Sequence, residues 1–430
     1  MQTLKKIIIF ILQFESRLIL KKYKPEIIAI TGNVGKTSAK DAIFEVVKSR
    51  GYARKSQKSY NSEIGVPLAI LDRYNAWYSP FSWLANIFVG LRLILFKDNY
   101  PKILVLEVSA DRPGDIEKLA KLLNPHIAVI TAVGEVPVHV EFFAGPEDLA
   151  REKSKMITNL NAQDFAILNF DDLTVLEMRR ESHGHVVTYG FGQGADIWAT
   201  DYKIMYRKEK DIDRPEGITF KVNYDGAMVP FRIFETFGKP QVYAALAAVA
   251  VGVAKGMNLV EMSEALSRYR APAGRLRLIE GIKQTRILDD SYNASPQAMH
   301  AALDLTREFS VKRKIAVLGD MLELGEYTEP AHRAIAQNLR GIDILITVGT
   351  RAKFIADEAR NFGFDPGAIH EFLRSEEAAR ELKKIVKDGD LVLIKGSESM
   401  RMERVVEAIM ANPEKANDLL VRQEVAWKNK

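Results

Sequence analysis

The chain has 430 residues, of which 47% are apolar and 27% charged, a balance that excludes a disordered tail and a fibrous repeat. Its 61 basic and 56 acidic residues leave a net charge of +5, and no basic run is long enough to indicate nucleic-acid binding. The absence of cysteine excludes thiol catalysis, disulfides, zinc–thiolate sites and iron–sulfur clusters. This length predicts two or three domains.

Residues 1–25 predict a basic amphipathic helix. The apolar run from Ile7 to Leu12 is short, Glu15 and Arg17 interrupt it, and no small-residue cleavage site follows, which argues against a signal peptide. Such a pattern is typical of a helix that lies on a membrane surface without spanning it. The apolar stripe comprises Leu4, Ile7, Ile8, Ile11, Phe14 and Leu18, and the flanking basic residues are Lys5, Lys6, Arg17, Lys21 and Lys22.

Residues 26–270 have the pattern of a first domain. Apolar stretches at 26–30, 102–108 and 127–133 predict strands, and helical patterns lie between them. This alternation predicts a mostly parallel sheet with helices on both faces. Residues 195–235 alternate apolar and polar side chains and predict antiparallel hairpins, and an alanine-rich helix over 243–255 closes the domain.

The pattern of strands and helices restarts after a linker at 271–275. The stretches TRILDD, KIAVLGD, DILITVG and DLVLIKG each predict a strand followed by a helix. Residues 271–430 therefore predict a second, smaller α/β domain of ordinary size.

The segment 77–96 fits neither pattern. It is apolar and approaches the length of a membrane span, but Ser79, Pro80, Asn86 and Arg92 weaken that assignment. Three interpretations remain open: a buried helix of the first domain, an interfacial membrane helix beside the N-terminal one, and a transmembrane span.

The stretch from Thr31 to Thr37, TGNVGKT, predicts a phosphate-binding loop between a strand and a helix. Glycines allow backbone N–H groups to approach phosphate oxygens, and the helix dipole favours negative charge there. Lys36 would neutralise the β- and γ-phosphates, and the Thr37 hydroxyl would bind Mg²⁺. The usual pattern fails at its first glycine, which is Ile30 here.

Two further residues follow predicted strands. Glu107 ends the second strand, where a parallel sheet presents its ligand-binding edge, and its carboxylate suits Mg²⁺. His139 follows the third strand; taken alone, such a histidine is more often structural than a ligand.

Six motifs in order resemble the Mur ligase family over roughly residues 26–410. They are AITGNVGKTSAKDAI, SYNSEIGVPLAIL, LEVSADRPGDI, DDSYNASPQAMHAALD, VLGDMLELG and VLIKGSESMRMERV. The last three favour the dipeptide-adding branch. The resemblance implies an α/β fold, with a P-loop central ATPase domain on a mostly parallel sheet and a smaller Rossmann-like C-terminal domain.

The resemblance also implies roles for individual residues. Lys36, Lys153, His139 and Arg275 would be catalytic, with Lys153 carbamylated by CO₂ and Arg275 reaching the phosphates from the second domain. Nucleotide binding would involve Gly32, Asn33, Gly35, Lys36, Thr37, Asn61, Gln241, Arg275, Asp290, Tyr292 and Asn293. Two Mg²⁺ ions would be held by Thr37, Glu107, His139 and carbamylated Lys153. Asp320, Lys395 and Ser397 would face the incoming amine.

The implied function is an ATP-dependent amide-bond ligase of peptidoglycan precursor synthesis in the cytoplasm. It would activate the carboxylate of a small-molecule cell-wall precursor as an acyl phosphate and join it to D-Ala-D-Ala or a similar amine. Three alternatives remain open: a lipid-linked or other non-UDP acceptor at the inner face of the membrane, a folylpolyglutamate-synthetase-like ligase, and a catalytically idle nucleotide-binding scaffold.

Three departures from the family pattern bear on these expectations. About 30 residues precede Gly32, too few for the uridine-binding domain expected there. The adenine-side pattern G-x-H-N-x-x-N reads GKPQVYA from Gly238, so that Gln241 is the amide left to contact adenine. The stretch before His139 is about two residues longer than usual.

Overall fold

Two β-sheets organise the chain. The computed structural model describes residues 2–57, 60–76, 79–110, 112–209, 212–424 and 427. Within these ranges the first sheet has nine strands in the order β2-β3-β1-β4-β5-β6-β7-β8-β9. The strands are β1 (Glu26–Thr31), β2 (Ala53–Lys55), β3 (Ile103–Glu107), β4 (Ile127–Ile130), β5 (Phe165–Asn169), β6 (His185–Gly190), β7 (Ile197–Glu209), β8 (Ile212–Tyr224) and β9 (Ala227–Phe234).

The first sheet is parallel from β2 through β7, and β7, β8 and β9 pair antiparallel. Residues 27–31 of β1 are buried on both faces of the sheet, as expected for a central parallel strand covered by helices on both sides. The mostly parallel sheet and the hairpins predicted at 195–235 are confirmed.

The second sheet has six strands in the order β10-β11-β15-β12-β13-β14. These are β10 (Arg277–Glu280), β11 (Arg286–Asp290), β12 (Lys314–Gly319), β13 (Ile344–Val348), β14 (Ile369–Phe372) and β15 (Leu391–Lys395). Only the β10–β11 pair is antiparallel among them. The four strands expected here are present. The edge strands β10 and β14 were not predicted, because each is short and mixes polar with apolar residues.

Helices cover both faces of the first sheet and flank the second. In the described residues they are α1 (Gln2–Tyr23), α2 (Lys36–Val47), α3 (Gly65–Leu71), α4 (Pro80–Leu95), α5 (Asp115–Leu123), α6 (Pro146–Thr158), α7 (Leu173–Glu177), α8 (Lys239–Ala254), α9 (Leu259–Leu266), α10 (Pro296–Glu308), α11 (Thr328–Ile335), α12 (Lys353–Asn361), α13 (Ser375–Ile385), α14 (Glu403–Ile409) and α15 (Ala416–Leu419). Buried side chains of α2 and α8 fill one side of the first sheet, and those of α1, α3, α5 and α6 fill the other.

The β7–β8 hairpin reaches the second half of the chain. The Tyr202 hydroxyl donates to the Glu308 carboxylate over 2.8 Å, and an Arg286 Nη donates to the Asp213 carbonyl over 3.2 Å. This hairpin and the linker at 271–275 therefore both join the two sheets.

Helix α1 lies within the range predicted for the N-terminal helix. Leu12, Glu15, Ser16 and Ile19 are its buried residues, and the predicted apolar stripe is exposed or half-buried from Ile7 onward. The side chain of Leu4 lies outside the described part. The helix thus packs on the domain through one set of residues and leaves much of its apolar stripe accessible.

The predicted apolar segment 77–96 forms helix α4, and its first two residues lie outside the described ranges. The buried-helix interpretation is wrong, since α4 buries only Asn86, Gly90 and Leu93. In the part of the chain that the structure describes, no helix is long and apolar enough to cross a membrane.

A buried carboxylate lies where α1 meets α4. Glu15 is 2% exposed, and neither of its carboxylate oxygens has a hydrogen-bond partner among the described residues. A Cβ atom at Gly90 would lie 2.2 Å from a Glu15 oxygen, so only glycine allows this approach. Burial raises the pKa of Glu15 from 4.5 to about 7.

The pKa of Glu15 predicts a pH-dependent stability. A raised carboxyl pKa means that the folded state binds a proton more tightly than the unfolded state, so this contribution to stability is lost as pH rises from about 4.5 through 7. We expect the free energy of unfolding to fall by about 2 to 3 kcal/mol from this group. Urea titrations at several pH values between 4.5 and 7 give the free energy of unfolding as a function of pH. Glu15→Gln should remove the fall of this free energy with pH, whereas Glu147→Gln, at an exposed position, should keep it. The same fall in Glu15→Gln as in wild type would contradict the assignment.

Candidate functional site

The loop between β1 and α2 is shaped for an anion. Gly32 and Gly35 have φ values of 137° and 87°, and a Cβ atom at Gly32 would lie 2.1 Å from the Thr131 hydroxyl. Glycine is therefore required at position 32. The Lys36 ammonium folds back and donates to the carbonyls of Gly32 (2.9 Å) and Asn33 (3.3 Å). The loop thus places a cation and the N-terminus of α2 at one point.

Glu107 lies beside this loop because β1 and β3 are adjacent parallel strands whose register pairs Ile30 with Glu107. The buried Glu107 carboxylate accepts hydrogen bonds of 3.0 Å from the Thr37 hydroxyl and from the Asn61 amide. The Lys40 ammonium is 3.8 Å from the same carboxylate. The structure thus brings Thr37, Asn61 and Glu107 together.

Lys153 lies directly beneath the loop. It is fully buried on α6, and its ammonium donates to the Gly32 carbonyl over 3.2 Å. The neighbouring Lys155 is partly exposed. The ammonium of Lys153 therefore contacts the phosphate-binding loop directly.

His139 connects the two halves of the molecule. It has a φ of 72°, and its Nδ1 lies 2.7 Å from a carboxylate oxygen of Glu323. Hydrogen bonding to His139 lowers the pKa of Glu323. Glu323 was not predicted, and its place inside the motif GDMLELG, three residues after Asp320, was the available signal.

Arg275 reaches the loop from the linker. Its guanidinium donates to the Thr37 hydroxyl over 3.2 Å and lies 3.9 Å from the centre of the Tyr292 ring. The Gln241 amide donates to the Arg275 carbonyl (3.0 Å) and accepts from the Tyr269 hydroxyl (2.7 Å). Since both ends of this amide are engaged, Gln241 helps to position Arg275.

The second sheet contributes an ion pair. Asp290 and Lys395 end the adjacent strands β11 and β15, and their side chains lie 2.6 Å apart and almost fully buried. The Lys395 ammonium also donates to the Asn293 carbonyl over 2.9 Å. Burial lowers the pKa of Lys395, although Asp290 opposes this shift. Behind the pair, burial raises the pKa of Asp289 to about 6.

A cleft of about 530 Å³ lies between the two sheets. Most of the predicted site residues line it, namely Asn33, Gly35, Lys36, Asn61, Glu107, His139, Gln241, Arg275, Asp290, Tyr292, Asn293, Lys395 and Ser397. Within the described ranges, no three His, Asp or Glu side chains are grouped closely enough to hold a metal by themselves.

Asp320, expected to face the incoming amine, does not line this cleft. Its carboxylate accepts from the backbone N–H groups of Arg351 (2.9 Å) and Ala352 (2.7 Å), just before α12. Asp320 therefore has a structural role at the start of this helix. Ser397 lines the cleft, and its hydroxyl accepts from the Leu322 N–H over 2.9 Å.

A second cavity, of about 230 Å³, adjoins the loop on its other side. Its walls include Asn169, Asp171, Lys239 and Tyr243, and the Tyr243 hydroxyl donates to Asp171 over 2.8 Å. Sequence reasoning missed this cavity. The signal was Asn169-Phe170-Asp171-Asp172, which follows the buried strand β5 at the same sheet edge as the phosphate-binding loop.

Comparisons with known proteins agree with this geometry. A model of the Mur ligase middle domain matches residues 30–252, and one described as Mur ligase, glutamate ligase domain, matches residues 274–398. The UDP-N-acetylmuramoyl-tripeptide–D-alanyl-D-alanine ligase of Bacillus subtilis is 29% identical over 405 residues, which are 94% of this chain and 79% of that protein.

Two solved structures are also similar. The MurF ligase of Thermotoga maritima, in complex with ADP, has a TM-score of 0.76 at 25% identity. The match covers 95% of this chain and 84% of that chain. The folylpolyglutamate synthase of Mycobacterium tuberculosis, complexed with ADP and AMPPCP, has a TM-score of 0.62 at 16% identity, with coverage of 91% and 93%. The second likeness concerns the fold alone.

The burial of the Asp290–Lys395 pair predicts how substitutions at these two positions change the free energy of unfolding. Lys395→Met leaves the Asp290 carboxylate buried without its cation and should lower the free energy of unfolding by about 3 to 5 kcal/mol. Adding Asp290→Asn should restore most of that loss in urea titrations. Lys121→Met, which breaks an exposed pair with Glu117, should cost less than about 1 kcal/mol. A double variant no more stable than Lys395→Met would contradict the buried pair.

Proposed function

The chain belongs to the Mur ligase family, and we propose that it joins D-Ala-D-Ala to the tripeptide of a UDP-linked cell-wall precursor at the expense of ATP. The observation that carries this proposal is the contact of Arg275 with Thr37. It brings a second cation to the phosphate-binding loop at the mouth of the interdomain cleft. The relative from Bacillus subtilis bears the name of this activity.

The reaction has two steps. A carboxylate oxygen of the tripeptide attacks the γ-phosphorus of ATP, the bond to the bridging oxygen breaks, and ADP leaves with that electron pair. The amine of D-Ala-D-Ala then attacks the acyl phosphate carbonyl, loses a proton, and inorganic phosphate departs. Negative charge accumulates on phosphoryl oxygens in the first step, where Lys36 and Arg275 lie within reach of the loop.

The nucleotide is proposed to lie across the loop, with its phosphates at Lys36 and its base in the cavity beside Tyr243. That cavity opens at Val34 and Gly35. Asp171 and Asn169 offer oxygen acceptors for the exocyclic amine of adenine. Asp290, Tyr292 and Asn293 line the other side of the loop and are proposed to contact the ribose and phosphates.

The acceptor is proposed to enter from a neighbouring groove of about 840 Å³ that includes Thr37 and shares Arg275 with the cleft. Lys55 and Arg422 line this groove too, but each is paired with a carboxylate, that of Asp41 and that of Glu403. The guanidinium of Arg275, which the groove shares with the cleft, is the group proposed to meet a carboxylate or diphosphate of the acceptor. Lys395 and Ser397, at the far side of the cleft, are proposed to guide the amine.

The residues around Glu107 fit a magnesium ion. The Thr37 hydroxyl and the Glu107 carboxylate are 3.0 Å apart, and Mg²⁺ is commonly bound by one or two protein oxygens together with substrate phosphates. When bound, this ion would neutralise phosphoryl charge. Thr37 and Glu107 are proposed to hold the first ion, and Glu107, His139 and carbamylated Lys153 the second.

Lys153 fits the role of a carbamylated residue. Its side-chain nitrogen is buried against the loop, and a lysine amine reacts with CO₂ in its neutral form. A carbamate at this nitrogen would present two anionic oxygens next to the phosphates.

We place the reaction in the cytoplasm, where ATP and nucleotide-linked precursors are made. A folylpolyglutamate-synthetase-like activity has only the shared fold in its favour. A catalytically idle scaffold is disfavoured because Lys36, Thr37, Glu107, His139 and Lys153 all remain around one loop.

Product formation tests the proposed function. We expect the chain, given ATP, Mg²⁺, bicarbonate, UDP-MurNAc-tripeptide and D-Ala-D-Ala, to yield the UDP-linked pentapeptide in mass spectra. Lys36→Ala should abolish the product because it removes the cation of the phosphate-binding loop. ATP hydrolysis that is independent of both substrates, with no new amide, would contradict the proposal.

The carbamate predicts a chemical rescue. Lys153→Ala should lower kcat by about 100-fold or more, and formate or acetate should restore part of it by supplying the missing carboxylate. Lys155→Ala is the matched control and should stay near wild-type activity. In addition, ¹³C-bicarbonate should give a carbamate signal in NMR spectra that Lys153→Ala lacks. Loss of activity without rescue, together with an unchanged NMR signal, would contradict the assignment.

A further inference from the structure

Helix α4 buries only part of its apolar surface. Its buried residues are Asn86, Gly90 and Leu93, and its half-buried residues Trp83, Val89 and Ile94 pack against the same core. A helix on a water-exposed surface normally buries its apolar stripe and exposes its polar one. Helix α4 departs from this rule, because it also carries large apolar side chains that this packing leaves exposed.

The outer face of α4 is a continuous apolar stripe. Phe81, Leu84, Phe88, Leu91 and Leu95 recur at intervals of three and four residues, and they are between 45% and 83% exposed. This spacing puts all five side chains on one side of the helix. Single exposed apolar residues are ordinary, but a stripe of this length marks an interaction surface.

Helix α1 extends this stripe. Ile7, Phe10 and Phe14 are at least half exposed. The two helices lie side by side, because Glu15 packs against Gly90 and the Lys22 ammonium donates to the Leu93 and Ile94 carbonyls at the end of α4. We call the five outer residues of α4 and these three residues of α1 the apolar ridge.

The surroundings of the apolar ridge are basic. Residues 5–24 carry Lys5, Lys6, Arg17, Lys21, Lys22 and Lys24, and their one acidic residue is the buried Glu15. Residues 79–98 carry Arg92, Lys97 and Asp98, and Asp98 pairs with Arg92 over 2.8 Å, so the positive charge around the ridge comes mostly from α1. An apolar stripe flanked by positive charge is complementary to a bilayer that contains anionic lipids.

We propose that the apolar ridge docks this protein on the surface of an anionic membrane, with the aromatic and leucine side chains at the acyl boundary and the lysines and arginines among the headgroups. A second copy of the chain fits less well, because pairing two such faces would bring their basic residues together. The docking is peripheral, since no described helix is suited to crossing a bilayer. It is independent of the proposed ligase activity.

The test is sedimentation of the purified full chain with vesicles of phosphatidylglycerol and phosphatidylcholine, compared with vesicles of phosphatidylcholine alone. We expect binding to the anionic vesicles that weakens with salt. The variant Phe81→Ser/Phe88→Ser/Leu95→Ser should reduce the bound fraction by about tenfold or more. The matched control, Leu173→Ser/Val260→Ser/Leu373→Ser, changes equally exposed apolar residues elsewhere and should bind like wild type.

Thermal melting curves and ligation of soluble substrates by both variants show whether they fold, so failure of the proposed ligase activity is separable from failure of docking. Wild-type protein that stays in the supernatant would overturn the proposal. Equal binding by the ridge variant and wild type would also overturn it. So would light scattering that shows a dimer for wild type and a monomer for the ridge variant, with neither bound to vesicles.

Discussion

The pairing of two parallel strands, β1 and β3, is the constraint on which the site depends. Its register sets Glu107 opposite Ile30, so the strand's carboxylate appears where the phosphate-binding loop begins. Thr37, in the first turn of α2, then lies within hydrogen-bond distance of Glu107. A shift of this register by one residue would turn Glu107 to the other face of the sheet. The chemistry of the loop and the packing of the first sheet are thus fixed by the same backbone hydrogen bonds.

One group of the site comes from the short linker between the two halves. Arg275 leaves that linker to contact Thr37, while Gln241 on α8 holds the Arg275 backbone. Tyr243, two residues after Gln241, lines the cavity beside the loop together with Asp171. The start of α8 thus contributes side chains to the cleft and to the cavity.

The sequence was sufficient for the parts of the fold with strong local periodicity. β1, the loop and α2 follow from a β-branched run, two glycines and an amphipathic helix. The strands β10 and β14 were not predictable, because their existence depends on a neighbouring strand that supplies hydrogen bonds. The role of Asp320 was not predictable either. Its carboxylate accepts hydrogen bonds from backbone N–H groups that are 31 and 32 residues further along the chain. The apolar composition of 77–96 predicted helix α4 but did not predict which side of the helix is buried. That side is the one on which Gly90 lies against the Glu15 carboxylate.

The contacts between the halves of the molecule have a mechanical consequence. Besides the covalent linker at 271–275, the β7–β8 hairpin contacts the second half through Tyr202 and Asp213, and His139 contacts Glu323. These polar contacts lie at separate places, so each of them resists separation of the two halves. The arrangement in which Arg275 contacts Thr37 is therefore braced by residues that are distant from Arg275 in the chain.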